Sequence, residues 1–208
     1  MEQCLREDLE ERAARRVAVL RPLKLIIDNY PEGQSETLEA NNHPQHPEMG
    51  VRDITFSREL WIEESDFAEV PPKGFRRLTV PADGTPAKPV RLRYGFVIVP
   101  TSFDKDESGK VVAVHANYLP ETRSGTEGSM SVKTKATIHW LDAKTAVPAE
   151  IRVYDRLFNV PHPDEGEGNF LDRLTPNSKT VLSSFVEPAA AKACLLYTSP
   201  SPRDRQKS

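Results

Sequence analysis

Lys73, Arg76, Arg77, Lys88, Arg91 and Arg93 fall within one stretch whose single acidic residue is Asp83, a local charge of +5 in a chain with a net charge of −3. Planar guanidinium forks and ammonium points at this density suit an anionic ligand. The forks can also hydrogen-bond the exposed edges of unpaired bases. Arg91 and Arg93 lie two apart. If one strand carries both, they leave the same face about 6.6 Å apart, close enough to grip adjacent bases or a base and a phosphate. Phe75, beside Arg76 and Arg77, offers a ring on which an unpaired base could stack. The competing account is a solvated basic face that balances the acidic run Glu63, Glu64, Asp66 and Glu69.

Other chemistry finds no support in the sequence. His43 and His46 form a His-x-x-His pair in a proline-rich loop, but zinc needs three or four converging ligands. His115, His139 and His162 are scattered, and Cys4 and Cys194 stand at opposite ends of the chain. Ordinary loop and strand histidines are the better account. There is no glycine-rich phosphate loop, no nucleophile elbow and no Ser-His-Asp order, and no carboxylate pair stands out. The chain reads as a binding module with no catalytic residue and no metal ligand.

The elements that must position these residues are mostly strands. Residues 2–20 place Leu5, Leu9, Ala13, Val17 and Leu20 at helical spacing, with acidic residues early and Arg12, Arg15 and Arg16 late, as the helix dipole favours. Pro22 ends that helix. Residues 23–28 form a short apolar run, and residues 30–49 read as a Pro-, Gly-, Asn- and His-rich loop. Ile54 and Phe56, then Leu60 and Ile62, alternate around a turn. Val90, Leu92, Tyr94, Phe96 and Ile98 alternate without a break and predict one strand. A hairpin turn is expected at residues 107–109 before Val112 and Val114. Ala136, Ile138 and Trp140 alternate, as do Ile151, Val153 and Leu157. Strands this short and closely spaced predict antiparallel barrels.

Composition sets the frame. The 208 residues suit one or two small domains, and 18 prolines favour short strands over long helices. The net charge carries no global nucleic-acid signature, so an RNA-binding face must be local. Two isolated cysteines suggest a reducing compartment. No apolar run nears the roughly 20 residues of a membrane span, and no leader opens the chain. A soluble cytoplasmic protein is expected. The tail, Cys194-Leu-Leu-Tyr-Thr-Ser-Pro-Ser-Pro-Arg-Asp204, resembles the in-frame translation of a sequencing-library adapter. Residues 194–208 are therefore expected to be foreign to the protein, which continues differently after about Ala193.

Six strings in order resemble the C-terminal region of the glutaminyl-tRNA synthetase family: Cys4-Leu-Arg-Glu-Asp-Leu9, Asn42-His-Pro-Gln-His-Pro-Glu-Met-Gly50, Val90-Arg-Leu-Arg93, Thr137-Ile-His-Trp140, Glu150-Ile-Arg-Val-Tyr-Asp-Arg-Leu-Phe-Asn-Val-Pro161 and Phe185-Val-Glu-Pro188. The resemblance covers residues 3 to 193. It implies a mainly β fold of two stacked antiparallel β-barrels preceded by a short α-helical segment. The expected boundaries are 1–21 for that segment, 22–100 for a proximal barrel and 101–193 for a distal, truncated one, with interleaving allowed. It implies a parent enzyme that uses ATP and Mg to attach glutamine to its tRNA; this stretch lacks the ATP-binding signatures and needs no cofactor itself. The implied partner is a glutamine-accepting tRNA, with neither DNA nor membrane, and the implied state is a monomer.

By residue, the resemblance gives Arg15 the middle anticodon base, Arg76 and Arg77 the third, and Arg91 and Arg93 the first base and nearby phosphates, with Asn42 ordering the anticodon loop. The sequence departs from the family pattern at Arg76, where lysine is common, and at Gly74, where a glutamine contact can occur. Residues 80–89 read as an insertion. A barrel-bearing glutamyl-tRNA synthetase is the nearest alternative, and a 5S-rRNA-binding ribosomal barrel is the alternative without enzymatic function.

Overall fold

The computed structural model describes residues 2–82, 84–165 and 168–192; the adapter-like segment and Asp83 lie outside the described residues. The chain runs through α1 (Glu2–Arg12), β1 (Ala18–Val19), β2 (Pro22–Ile27), β3 (Ser35–Asn41), β4 (Val51–Ser57) and β5 (Glu59–Glu63). It continues through β6 (Val90–Leu92), β7 (Val97–Lys105), β8 (Val111–Leu119), β9 (Thr137–Ile138) and β10 (Trp140–Asp142), and then β11 (Val147–Tyr154), β12 (Lys179–Val186) and α2 (Pro188–Ala191).

Seven strands form one sheet in the order β10-β5-β2-β8-β7-β6-β9. Its two outer strands, β10 and β9, are consecutive in the chain and separated only by His139. The sheet therefore curls until one short stretch serves both edges. β9 pairs with β6 through Arg91↔Thr137 and Leu92↔Ile138, while β10 pairs with β5 through Trp140↔Ile62 and Asp142↔Leu60. A nearly closed barrel results, which leaves few edge groups unpaired. The β2–β8 and β6–β9 pairings are parallel and the others antiparallel. Beside the barrel stand a three-stranded sheet, β1-β12-β11, and a two-stranded one, β3-β4. A mainly β chain led by a short helix is thus what forms. The barrel takes strands from both sides of residue 100.

Alternation within β2, β5 and β6 builds much of the core. β2 buries Leu23, Leu25 and Ile27, and Leu60, Ile62, Val90, Leu92, Ile98 and Val114 fill the interior with them. Phe56 sits fully buried among four rings, with centroids of Phe96 at 4.9 Å, Tyr30 at 5.1 Å, Trp140 at 5.5 Å and Tyr118 at 5.8 Å. Burial, aided by Glu36, pushes the Tyr30 hydroxyl up to about 12. The predicted hairpin turn exists: the Asp106 carboxylate accepts the N–H groups of Ser108 (2.9 Å) and Lys110 (3.0 Å), and Gly109 supplies φ +83°.

Three sequence expectations change. The helix expected over residues 2–20 stops at Arg12. Seven of its eleven residues are charged and Leu9 is 42% exposed, so no core contact rewards further turns. Beyond it, tertiary partners draw the chain out: the Arg15 N–H donates to Asn42 O at 2.6 Å, and Val19 is buried in β1 against β12. The loop expected over 30–49 contains β3, whose inward face carries only Leu38 and Ala40 between polar residues. The single strand expected over 90–98 is a hairpin: β6 and β7 pair antiparallel through Val90↔Ile98 and Arg91↔Val97, with the turn at residues 93–95. Among the described residues, no helix is long and apolar enough to cross a membrane.

Replacing Phe56 with Ala should cost about 3–5 kcal/mol of unfolding free energy in a urea titration, because four packed rings cannot all collapse into the void. His115 gives a second test. Its ring nitrogens face the Asp28 and Asp104 carboxylates at 2.9 and 3.0 Å, and these hydrogen bonds raise its pKa. A raised native pKa means that its stabilisation is complete below the unfolded value of about 6.5 and fades as pH rises through the native value. The stability gap between the native chain and H115N should therefore be wide at pH 5.5 and narrow at pH 9.

Candidate nucleic-acid interface

Arg15 and Asn42 are brought together. Asn42 closes the β3–β4 connection: its side-chain amide donates to Met49 O (3.0 Å), while its backbone N–H donates to Gly50 O (3.0 Å) and its carbonyl accepts the Arg15 N–H. The Arg15 guanidinium donates to Glu10 O at 3.1 Å at the end of α1. Arg16 extends the unit, donating to Asn42 Oδ1 at 2.9 Å. His43, fully buried, contacts Glu10 O through Nε2 at 2.6 Å and accepts the Gln45 N–H at Nδ1. The histidine thus docks the helix end on this loop.

Arg91 and Arg93 flank buried Leu92, and their forks meet different partners. Arg91 lies on β6, half-buried, and its fork turns into the protein: it donates to Thr122 O at 3.1 Å, to the Ser124 hydroxyl at 3.4 Å and to Ser129 O. Burial lowers its pKa. The fork thereby straps residues 122–129 to the barrel. Arg93 sits past the strand in the turn. Its carbonyl accepts the Trp140 indole N–H at 2.9 Å, and its guanidinium lies 5.3 Å from the centroid of the Tyr94 ring.

Tyr94 occupies the left-handed region at φ +61°, a conformation that costs a non-glycine residue about 1–2 kcal/mol. Gly95 follows because a Cβ there would meet Leu92 at 3.3 Å and Trp140 at 3.4 Å. The strained turn presents Tyr94 between two surface recesses. One is lined by Arg52, Asp53, Arg93, His139 and Glu187 among others, and the second by Asn41, Asp53, Arg123 and Thr126 among others. Partial desolvation, reinforced by the Arg93 charge, lowers the pKa of His139, which still has an exposed surface.

Arg76 and Arg77 lie on a separate segment, the strandless connection from β5 to β6. Fully buried Leu78 anchors it, through Leu78 N–H to Asp66 O at 2.9 Å. Arg77 pairs with the Asp66 carboxylate at 3.1 Å and donates to Ser65 O at 3.2 Å. Burial raises the Asp66 pKa, and the Arg77 charge opposes that rise. Arg76 is exposed and has no hydrogen-bond or ion-pair partner among the described residues. Of the acidic run that could have neutralised the basic segment, Asp66 takes Arg77, while Glu69 takes Lys105 at 2.7 Å and Glu64 takes Lys110 at 3.2 Å.

Sequence reasoning missed Tyr94, Arg16, Arg52 and Glu187. Gly95 inside an apparently continuous strand was the available signal for the first, since glycine there marks a turn or a close approach. The other three depend on contacts between distant segments, for which the sequence carries no local sign.

A nearly closed barrel with guanidinium groups, a strained tyrosine and a histidine around surface recesses defines a binding domain suited to an anionic ligand with π faces. The chain belongs to the class I tRNA synthetases (E and Q): one anticodon-binding domain profile of that family matches residues 13–119 and a second matches residues 137–195. It is 58% identical over 193 residues to a glutamine--tRNA ligase of Cupriavidus necator, covering 93% of this chain and 32% of that protein. It is 54% identical over 188 residues to that of Bordetella pertussis, covering 90% and 31%. Against that of Ralstonia pickettii the figures are 52% over 193 residues, 93% and 32%. The chain spans about a third of the length of the curated relatives it matches.

Arg91→Ala should lower the unfolding free energy by about 1–3 kcal/mol, since it leaves the Thr122 and Ser129 carbonyls without their donor. Limited proteolysis should then cut within residues 122–129 faster than in the native chain.

Proposed function

We propose that this chain reads the anticodon loop of a glutamine-accepting tRNA, as the anticodon-binding region of a cytoplasmic, monomeric glutamine–tRNA ligase. The observation that carries the reading is the tandem match of two anticodon-binding profiles, joined by more than 50% identity to glutamine--tRNA ligases across nine-tenths of the chain. The longer enzyme would activate glutamine with ATP and Mg in a part this chain does not contain. Arg15 and Asn42 would hold the middle base and the loop, and exposed Arg76 with Arg77 the third base. Arg93, with Tyr94 beside it, would hold the first base, while Arg91 supplies charge and fixes the loop behind. Unpaired bases expose their pairing edges to such forks, and Tyr94 gives a base a face to stack on.

The profiles describe both E and Q synthetases, which supports a glutamate-specific parent as the second reading. Stem-loop RNAs bearing glutamine and glutamate anticodons separate the two.

Fluorescence anisotropy of the chain with an anticodon stem-loop should give weak binding that falls with salt, with a logarithmic slope of about 0.7 per phosphate contacted. The double variant R91A/R93A should bind more weakly and lose about 1–3 kcal/mol of discrimination at the first base, by analogy with base-specific contacts in DNA. Unchanged binding by the double variant would remove both arginines from the interface.

A further inference from the structure

Glu187 stands at the end of β12, 3% exposed, and its two carboxylate oxygens go to two different segments. Oε1 accepts the Val17 N–H at 3.1 Å, and Oε2 accepts Arg52 Nε at 2.9 Å. The Glu187 N–H donates in turn to Val17 O at 3.0 Å. From Val17 the chain leads back through Arg16 to Arg15. From Arg52 one further hydrogen bond, NH1 to Asn41 O at 2.7 Å, reaches the residue before Asn42. The two routes meet where the Arg15 N–H donates to Asn42 O at 2.6 Å and Arg16 donates to Asn42 Oδ1 at 2.9 Å. Arg16 Nε also lies 4.0 Å from Glu187 Oε1.

The carboxylate is itself held in place. β12 pairs with β1 through Val19↔Phe185 and Ala18↔Val186, and Phe185 stacks on Trp61 of the barrel at 5.0 Å with rings 7° from parallel. A rigid strand end therefore presents one buried anion to both segments at once.

We propose that Glu187 is the positioning residue of the Arg15–Asn42 unit: it fixes the distance between the two segments so that Arg15 meets the middle base of the anticodon. This rests on the assignment of Arg15 made under the proposed function. A side chain that only stabilised the fold would weaken recognition of all bases alike. A positioning residue affects the base its unit reads and spares the third base, whose Arg77 hangs on Asp66 and Ser65; neither it nor Arg76 shares a contact with Glu187 among the described residues.

The test measures dissociation constants of the chain for anticodon stem-loop RNAs varied at the middle or the third base. Glu187→Gln keeps an acceptor for Val17 but removes the anionic partner of Arg52. It should cut the middle-base preference roughly tenfold, in the range one well-placed arginine supplies, and leave the third-base preference as it was. In an Arg15→Ala background the same substitution should have no further effect on the middle-base preference. Arg52→Lys keeps a cation beside Glu187 while releasing Asn41. It should reproduce the selective loss, and its result decides if E187Q does not fold. Equal losses at both bases, or an unchanged middle-base preference alongside a collapse in R15A, would overturn the positioning role and leave the anticodon reading in place. A middle-base preference that survives R15A would instead remove Arg15 from the middle base, and the role of Glu187 with it.

Discussion

One six-residue stretch, Thr137 to Asp142, pairs with β6 on one side and β5 on the other, and the rest of the structure depends on that double use. A seven-stranded sheet with free outer strands would expose two rows of unpaired N–H and C=O groups. Placing both outer strands in one segment removes most of that exposure, and it forces the sheet to curl around the aromatic cluster at Phe56. The same segment carries Trp140, whose ring packs against Phe56 and whose indole N–H holds the Arg93 carbonyl. Closure of the barrel and the shape of the turn that presents Arg93 and Tyr94 are thus one event. The strain at Tyr94 persists because neighbours fixed by the barrel over-determine it.

Charge is sorted by a different rule. The chain is acidic overall, yet its cations fall into two kinds. Arg52 is largely and Arg91 half withdrawn from solvent, and both spend their donors on protein acceptors. Their work is to join segments far apart in sequence, and breaking a buried pair costs more than an exposed one because the remaining charge is left uncompensated. Arg76, by contrast, faces solvent without a partner among the described residues, and the acidic run before it is matched with Arg77, Lys105 and Lys110. A net negative charge is therefore compatible with a face that attracts phosphate, since Debye screening near 8 Å at physiological salt confines each charge to its own neighbourhood.

The legible part of the sequence was what repeats locally. A short apolar run placed β2, alternating residues placed β4, β5 and β8, and the Asp106–Gly109 turn carried its own chemistry. The basic stretch from Lys73 to Arg93 drew attention to four of the proposed site residues through charge alone, and the resemblance added Arg15 and Asn42. What stayed hidden was decided at long range. A perfect period of two across Val90 to Ile98 could not reveal that the chain folds back at Tyr94, because a hairpin with an odd-numbered turn leaves the inward and outward sides in step. The helical spacing of Leu5 to Leu20 gave no warning that Leu9 and Leu20 would stay exposed. β3 escaped because just two of its residues, Leu38 and Ala40, face the core.

Arg91 makes the same point about function. From the sequence, Arg91 and Arg93 are equivalent, two forks on one strand. The fold separates them by a single turn: the first becomes the strap of a loop and the second remains at a recess beside a ring. Residue type and spacing identify a charged segment, but whether a guanidinium faces a ligand or a carbonyl depends on which backbone acceptors the topology brings within reach. Here those acceptors, Thr122 and Ser129, come from a segment about thirty to forty residues downstream. A conservative exchange of lysine for either arginine would therefore act differently at the two positions. At Arg91 it would lose a fork that spans several acceptors at fixed angles. At Arg93 it would keep a cation near a ring and lose planarity.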